Sequence, residues 1–223
     1  MDKTNNPDSR PVEIPVAVMF AIDQLTGWIS RLVSTVRLKL VLRWLGCAYG
    51  QGLLADGTVV VQVRHRGSIT IGNQVTIRSR FRSNLVGMTG ATVFHCIREG
   101  RISIGNDSGC SSTVFSSRSS ITVGKNVNLG GNVRIYDHDF HALDYRARRD
   151  PIQDVLHTRS APVVIGDDVF IGANAIILKG VNVGDRCVIG AGSVVSLKEI
   201  PPDSLVAGNP ARVVKRLSAA SES

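Results

Sequence analysis

Aromatic side chains are scarce in this chain. They make up 5% of its 223 residues, as expected where a narrow core is filled by Val and Ile. Cysteine is sparse as well. Cys47, Cys96, Cys110 and Cys187 stand apart with no C-x-x-C pair, which argues against a disulfide framework or a zinc ribbon and makes a reducing cytoplasm the simplest compartment. No secretory leader is visible, and the polar first ten residues read as disordered. A long uncharged apolar run is also missing. The apolar segment near the start is broken by Asp23, Arg31, Arg37, Lys39 and Arg43, which denies it the length a membrane-spanning helix needs.

What the chain has instead is a clock of six. Ile165, Ile171, Ile177, Val183, Ile189 and Val195 fall six residues apart, and Gly166, Gly172, Gly184 and Gly190 follow four of them. Four residues after each aliphatic comes a small or apolar side chain: Val169, Ala175, Val181, Cys187 and Ser193. Helices repeat near 3.6 residues and strands at 2, so neither accounts for this period. A chain that turns a corner every six residues and points one aliphatic inward on each flat face does, and that is a parallel β-helix. Weaker ticks at Ile71-Gly72, Ile104-Gly105, Val123-Gly124, Leu129 and Ile135 carry the pattern back to about Val59. The glycines read as corner residues, and Asn73, Asn106, Asp167 and Asp185 beside them as turn formers. Pro201-Pro202 marks the end of the solenoid. Cys187 reads as a small core hydrophobe.

Ahead of the repeats, Ile22, Leu25, Ile29, Leu32, Val36, Leu40 and Trp44 recur at helical spacing. They form one stripe of an amphipathic helix, with Arg31 opposite and Arg37, Lys39 and Arg43 on its flanks. Its expected task is to cover the open end of the β-helix or to pack between subunits. The alternative is peripheral contact with a membrane surface through residues 12–45. Of the net charge of +8, much sits in the early coils, where residues 56–101 hold seven basic side chains against two acidic ones. These arginines form a solvated face or attract an anionic acceptor or lipid. Nucleic acid is not an expected partner, because no stacking aromatics are interleaved with them.

The clock breaks between Ile135 and Ile165. The interruption opens with Tyr136-Asp137-His138-Asp139-Phe140-His141-Ala142-Leu143-Asp144 and continues through Arg146, Arg148 and Arg149. A long excursion from a regular solenoid is a place for function. The expected organisation is therefore a disordered N-terminus and helical segment over 1–55, the β-helix over 56–200 with an active-site loop at 136–162, and a C-terminal extension over 201–223. His138 and His141 offer two metal-binding nitrogens, but nothing in the sequence clearly supplies a third and fourth ligand, so no metal is expected.

With the repeats, the loop His141-Ala142-Leu143-Asp144 and the tail Ala207-Gly208-Asn209-Pro210-Ala211-Arg212-Val213-Val214, the chain resembles the hexapeptide-repeat O-acetyltransferases. That family includes the maltose and galactoside enzymes and relatives in capsule and lipopolysaccharide synthesis. The resemblance covers residues 59–217. It implies a left-handed β-helix with a short C-terminal helix or arm, assembled as a homotrimer with its sites between subunits. It also implies direct transfer of acetyl from acetyl-CoA to a hydroxyl of a sugar or surface-glycan precursor. By the resemblance His141 is the general base, followed by Asp144; the resemblance gives His138 no role, and its own surroundings read either as a polar residue that orients the loop or as a metal partner of His141. Ser112 stands where the family carries an Asn, and Phe170 where it carries a Trp. Gly172, Ala173, Gly190 and Ala191 would lie along the donor, with Lys198, Arg212 and Lys215 near its phosphates. The expected place of action is the cytoplasm or the inner face of a membrane. Two other readings stay open: N-acetylation of a nucleotide-linked amino sugar, and a zinc-dependent, carbonic-anhydrase-like protein on the same fold.

Overall fold

The computed structural model describes residues 16–217. The first ten residues, and the part of 12–45 that precedes Val16, lie outside the described residues. Helix α1 (Val16–Trp44) leads into a left-handed parallel β-helix. Successive strands go in turn to three sheets. The first runs from Ala48–Tyr49 to Glu199–Ile200, the second from Leu54–Asp56 to Ser204–Gly208, and the third from Val59–Val63 to Val194–Val195. Every neighbouring pair in these ladders is parallel until the last segment, Ala211–Arg216, folds back antiparallel on Ser204–Gly208.

The six-residue clock is the core. Ile165, Ile171, Ile177, Val183, Ile189 and Val195 are buried, as are Val169, Ala175, Val181, Cys187 and Ser193 four residues on from the first five. In the first sheet Ile71, Ile104, Val123, Ile165, Val183 and Ile200 stack in register. Each such aliphatic, once buried, contributes about 1.5–3 kcal/mol. Phe94 and Phe115, both buried, stack in parallel at 5.1 Å and fill the early coils. All four cysteines are free and buried. Burial pushes the thiols of Cys96 and Cys110 up to about 12, so they act as core side chains and not as nucleophiles.

Four details differ from the sequence reading. The coils start before Val59, because Tyr49 pairs with Ile71 and Ala55 with Ile77. They also run past Pro201-Pro202, which forms a corner, since Ile200 and Val206 continue the buried ladders. One residue is missing between Val195 and Ile200, and that slip hid the last ticks. The closing segment is a strand, an arm and not a helix. Finally, the corner glycines answer to close approach and not to their dihedrals. A Cβ on Gly124 would sit 2.6 Å from the Gly166 carbonyl oxygen. At the corner from the first sheet to the second, the left-handed positions are instead Gln74, Asp107, Asn126, Asp168, Arg186 and Asp203, at φ of 55 to 58°. Asn73, Asn106, Asp167 and Asp185 use their side-chain oxygens as a staircase, each accepting a backbone N–H of the coil before at 2.8 Å.

Helix α1 covers the open end of the solenoid, but not with the stripe that its periodicity suggests. Thr35, Leu38 and Leu42 are buried against the first coil. Thr35 Oγ1 donates to the Ala55 carbonyl at 3.1 Å and accepts the Ala55 N–H at 2.9 Å. Ser30 donates to Asp56 at 2.7 Å. Ile22, Leu25, Ile29, Leu32, Val36, Leu40 and Trp44 all face outward and are exposed. Among the described residues no helix is long and apolar enough to cross a membrane.

Candidate functional site

Two excursions leave the stack. Residues 79–91 project where the second sheet turns into the third, and residues 137–162 where the third turns into the first. The second of these is stitched at its stem. Asp139 N–H donates to the Arg159 carbonyl at 2.9 Å and Ala161 N–H to the Asp137 carbonyl at 2.8 Å. Within it, α2 (Tyr145–Arg148) is capped by Asp144, and α3 (Pro151–His157) by Asp150 with Pro151 opening the helix. Both caps follow ordinary helix-start chemistry.

Asp137 begins the excursion and is completely buried. Its carboxylate accepts from Ser117 Oγ, Arg118 N–H and Ser119 N–H at 2.7 to 2.8 Å, which satisfies a charge that would otherwise be costly to bury. Next to it, His138 is 5% exposed. Its Nδ1 lies 2.7 Å from the Asp139 carbonyl. A carbonyl can only accept, so Nδ1 carries a hydrogen, and Nε2 is the ring nitrogen left to offer a lone pair in the neutral tautomer. That lone pair faces Ser116 Oγ at 3.1 Å, and Ser116 Oγ also lies 3.1 Å from His95 Nδ1. Burial first, with the neighbouring His138 imidazole and Arg64 guanidinium after it, holds His95 below the usual imidazole range. His95 is therefore neutral near pH 7. The Phe140 ring stands edge-on to His138 at 4.8 Å and to Tyr136 at 5.1 Å. Asp139 pairs with Lys179 Nζ at 2.6 Å through Oδ1.

His141 is placed differently. It is 70% exposed, and its Nδ1 meets Asp154 Oδ2 at 2.6 Å. Asp154 Oδ1 accepts the Ala142 N–H, also at 2.6 Å. The His141 hydrogen bond, then that of Ala142, hold the Asp154 carboxyl below its ordinary range. The pair pins the turn at 141–142 onto α3. Asp144, the acid the sequence offered as companion to His141, caps α2 by accepting the Arg146 N–H at 2.9 Å.

The remaining candidates are spread out. Ser112 is buried at the corner between the second and third sheets, at φ 48°. Its hydroxyl donates to the Gly90 carbonyl at 2.6 Å, tying down the 79–91 excursion. Gly172, Ala173, Gly190 and Ala191 share that same corner, where a Cβ on Gly172 would sit 2.5 Å from Ala191 N. Ala173 lines a cavity of about 550 Å³ together with Arg78, Asn84, Asn128 and Phe170. Lys198 lies at the corner of the His excursion, and Arg212 and Lys215 on the final strand; all three are exposed. One chain thus gathers these small residues at one corner and the histidines at the next, with the third sheet between them.

Sequence reasoning missed Ser116, His95 and Asp154. The first two are ladder partners on adjacent coils, and no local pattern announces them. Asp154 reaches His141 only because α2 and α3 fold back.

Comparison with known proteins agrees with this architecture. Residues 162–196 match the family model described as the hexapeptide repeat of succinyl-transferase. A putative acetyltransferase of Schizosaccharomyces pombe is 43% identical over 97 residues, 44% of each chain. The galactoside O-acetyltransferase of Escherichia coli is 37% identical over 98 residues, 44% of this chain and 45% of that one. The chain spans about half the length of the curated relatives it matches. A hexapeptide-repeat-containing acetyltransferase of Vibrio cholerae superposes with a TM-score of 0.56 at 26% identity, covering 91% of this chain and 92% of that one. Its complex with acetyl coenzyme A gives 0.54 at 25% identity, covering 92% of both. In repeat, in fold and in sequence, this chain is similar to the hexapeptide-repeat acetyltransferases.

Proposed function

We propose that the protein transfers an acetyl group from acetyl-CoA directly to a hydroxyl of a sugar or surface-glycan precursor, with His138 as general base. The observation that carries this reading is the His138 ring. Its Nδ1–H is committed to a backbone carbonyl at 2.7 Å, and its Nε2 already faces a hydroxyl, Ser116 Oγ, at 3.1 Å. Ser116 has a second acceptor in His95 Nδ1, toward which its hydrogen can turn when an acceptor hydroxyl takes the Nε2 lone pair. The acceptor proton then passes to Nε2 as its oxygen attacks the thioester carbonyl. The C–S bond breaks, and the imidazolium returns the proton to the CoA sulfur. No covalent enzyme intermediate is needed.

The donor is proposed to lie along the Gly172–Ala173 and Gly190–Ala191 corner, where small residues let an extended arm approach the backbone, with Arg212, Lys215 and Lys198 offered to phosphates. Because this corner and the His excursion flank the third sheet within one chain, a homotrimer in which one copy's corner meets the next copy's excursion fits the geometry. His141, with Asp154 at 2.6 Å, supports a second reading in which that exposed pair is the base.

The test measures CoA release and acetylated product with sugar acceptors for wild type, His138→Ala and His141→Ala. Loss of about 10²–10⁴ in kcat in His138→Ala, with His141→Ala near wild type, is the expected result; the reverse pattern overturns the assignment to His138. Mild alkali separates the acceptor classes, since an ester is cleaved and an amide survives. An alkali-stable product would move the acceptor from a hydroxyl to an amine. Acetyl-CoA must also raise the melting midpoint of both variants, and no rise would remove the donor site.

A further inference from the structure

The outward face of α1 is the largest feature that neither the solenoid nor the chemistry accounts for. At 3.6 residues per turn, Val18, Ile22, Leu25, Ile29, Val36 and Leu40 form one stripe on the side opposite Leu38, and every one of them is exposed. Trp28 and Trp44 are 63% and 75% exposed. Contiguous apolar surface of this extent on a folded protein marks a place of contact. The helix is apolar on both sides because it has two partners to satisfy, and the solenoid end supplies only one.

The charges name the second. From Gln24 to Trp44 the helix carries Arg31, Arg37, Lys39 and Arg43 and no acidic residue. Arg37 and Lys39 lie on opposite flanks of the apolar stripe, and Arg43 projects beside Leu40. The acid that precedes this stretch, Asp23, is paired with Arg82 Nη1 at 2.7 Å. A second protein surface of mixed charge gains nothing from such a one-signed border, whereas an anionic lipid surface does. The helix runs across the end of the solenoid, bonded to Ala55, Asp56 and Gly57 on one side, so its outer stripe is presented lengthwise. By the 1.5 Å rise per residue, its 29 residues offer roughly 43 Å of edge.

We infer that the outer face of α1 docks the protein on an anionic phospholipid surface. The helix lies in the headgroup plane with its apolar stripe down and Arg37, Lys39 and Arg43 among the phosphates, while the solenoid stands away from the bilayer. This inference is independent of the acyl-transfer reading, because it uses none of the excursion or corner residues.

The experiment is flotation of the full-length protein with vesicles of phosphatidylcholine alone and of phosphatidylcholine carrying phosphatidylglycerol. Binding to the anionic vesicles, weakened by added salt, is expected. Ile29→Ser with Val36→Ser, and separately Arg37→Glu with Lys39→Glu, should each lower the partition by about tenfold or more with an unchanged melting midpoint and unchanged acetyl transfer to a soluble acceptor. Wild type that stays in solution overturns the inference, as does equal binding to both vesicles or binding that survives the serine pair. A fall in mass by light scattering for the serine pair, with no vesicle binding by wild type, would assign the face to a second copy of the chain instead. Failure of acetyl transfer in every protein, with flotation intact, would count against the proposed reaction alone.

Discussion

At the scale of single residues, the ordering of protons around His138 is what makes it usable. A carbonyl fixes one ring nitrogen, a serine hydroxyl marks the other, and a neutral His95 gives that serine somewhere to turn. The neutrality of His95 has a cost that can be measured. Its folded-state pKa lies below the ordinary 6.5, so an unfolded chain takes up the proton first as the solution is acidified. The stability this group contributes is whole above pH 6.5 and falls as pH drops from there through its lower folded value. His95→Gln should flatten the dependence of the melting midpoint on pH in that window, and a slope identical to wild type would mean that His95 is not the group responsible. Little of this was legible in the sequence. His138 and His141 stood out because a polar, titratable run interrupts the clock, but their ranking did not. His141 looked better furnished because Asp144 follows at short range. That aspartate is consumed as a helix cap, and the acid that meets His141 comes from α3, thirteen residues on.

At the scale of elements, the repeat was readable because each tick buries one aliphatic on one flat face, and burial is what periodicity records. The reason for the glycines was not readable, since a dihedral requirement and a contact requirement leave the same letter. The structure separates them. Gly124 has no left-handed φ, yet a Cβ there would press on the backbone of the next coil at 2.6 Å. Gly124→Ala should therefore lower stability by about 1–3 kcal/mol, the range for forcing atoms into a packed site, in urea titrations read by circular dichroism. A neutral or stabilising result would show that the coils can part without cost. Helix α1 taught the opposite lesson. Its period was plain, but a helix apolar on two sides gives no sign of which side turns in. Small polar residues decide it, because Ser30, Ser34 and Thr35 find backbone and carboxylate partners on the first coils.

At the scale of the whole molecule, the stack is a rigid post with its variable parts at the corners. Lengthening a corner leaves the inward ladder untouched, which is why a 26-residue interruption at 137–162 does not disturb the register of Val123 with Ile165. The sequence could show that an interruption existed. It could not show which edge of the post carried it, because that depends on counting corners through the irregular early coils. Both ends of the post carry an element that is not a coil. At one end α1 lies over the strands Ala48–Tyr49, Leu54–Asp56 and Val59–Val63; at the other Ala211–Arg216 turns back against Ser204–Gly208. Removing residues 1–44 should leave the early strands with unpaired backbone groups, and the shortened protein should scatter light and sediment as a heterogeneous species where the full chain gives one mass. A single discrete mass for the shortened protein would show that the first coil needs no cover. A β-helix has no intrinsic length, since each coil is as good a template for the next as the one before it. In this chain neither pole offers three free parallel edges on which another coil could template: a helix lies across one, and at the other a reversed strand takes the edge of the second sheet.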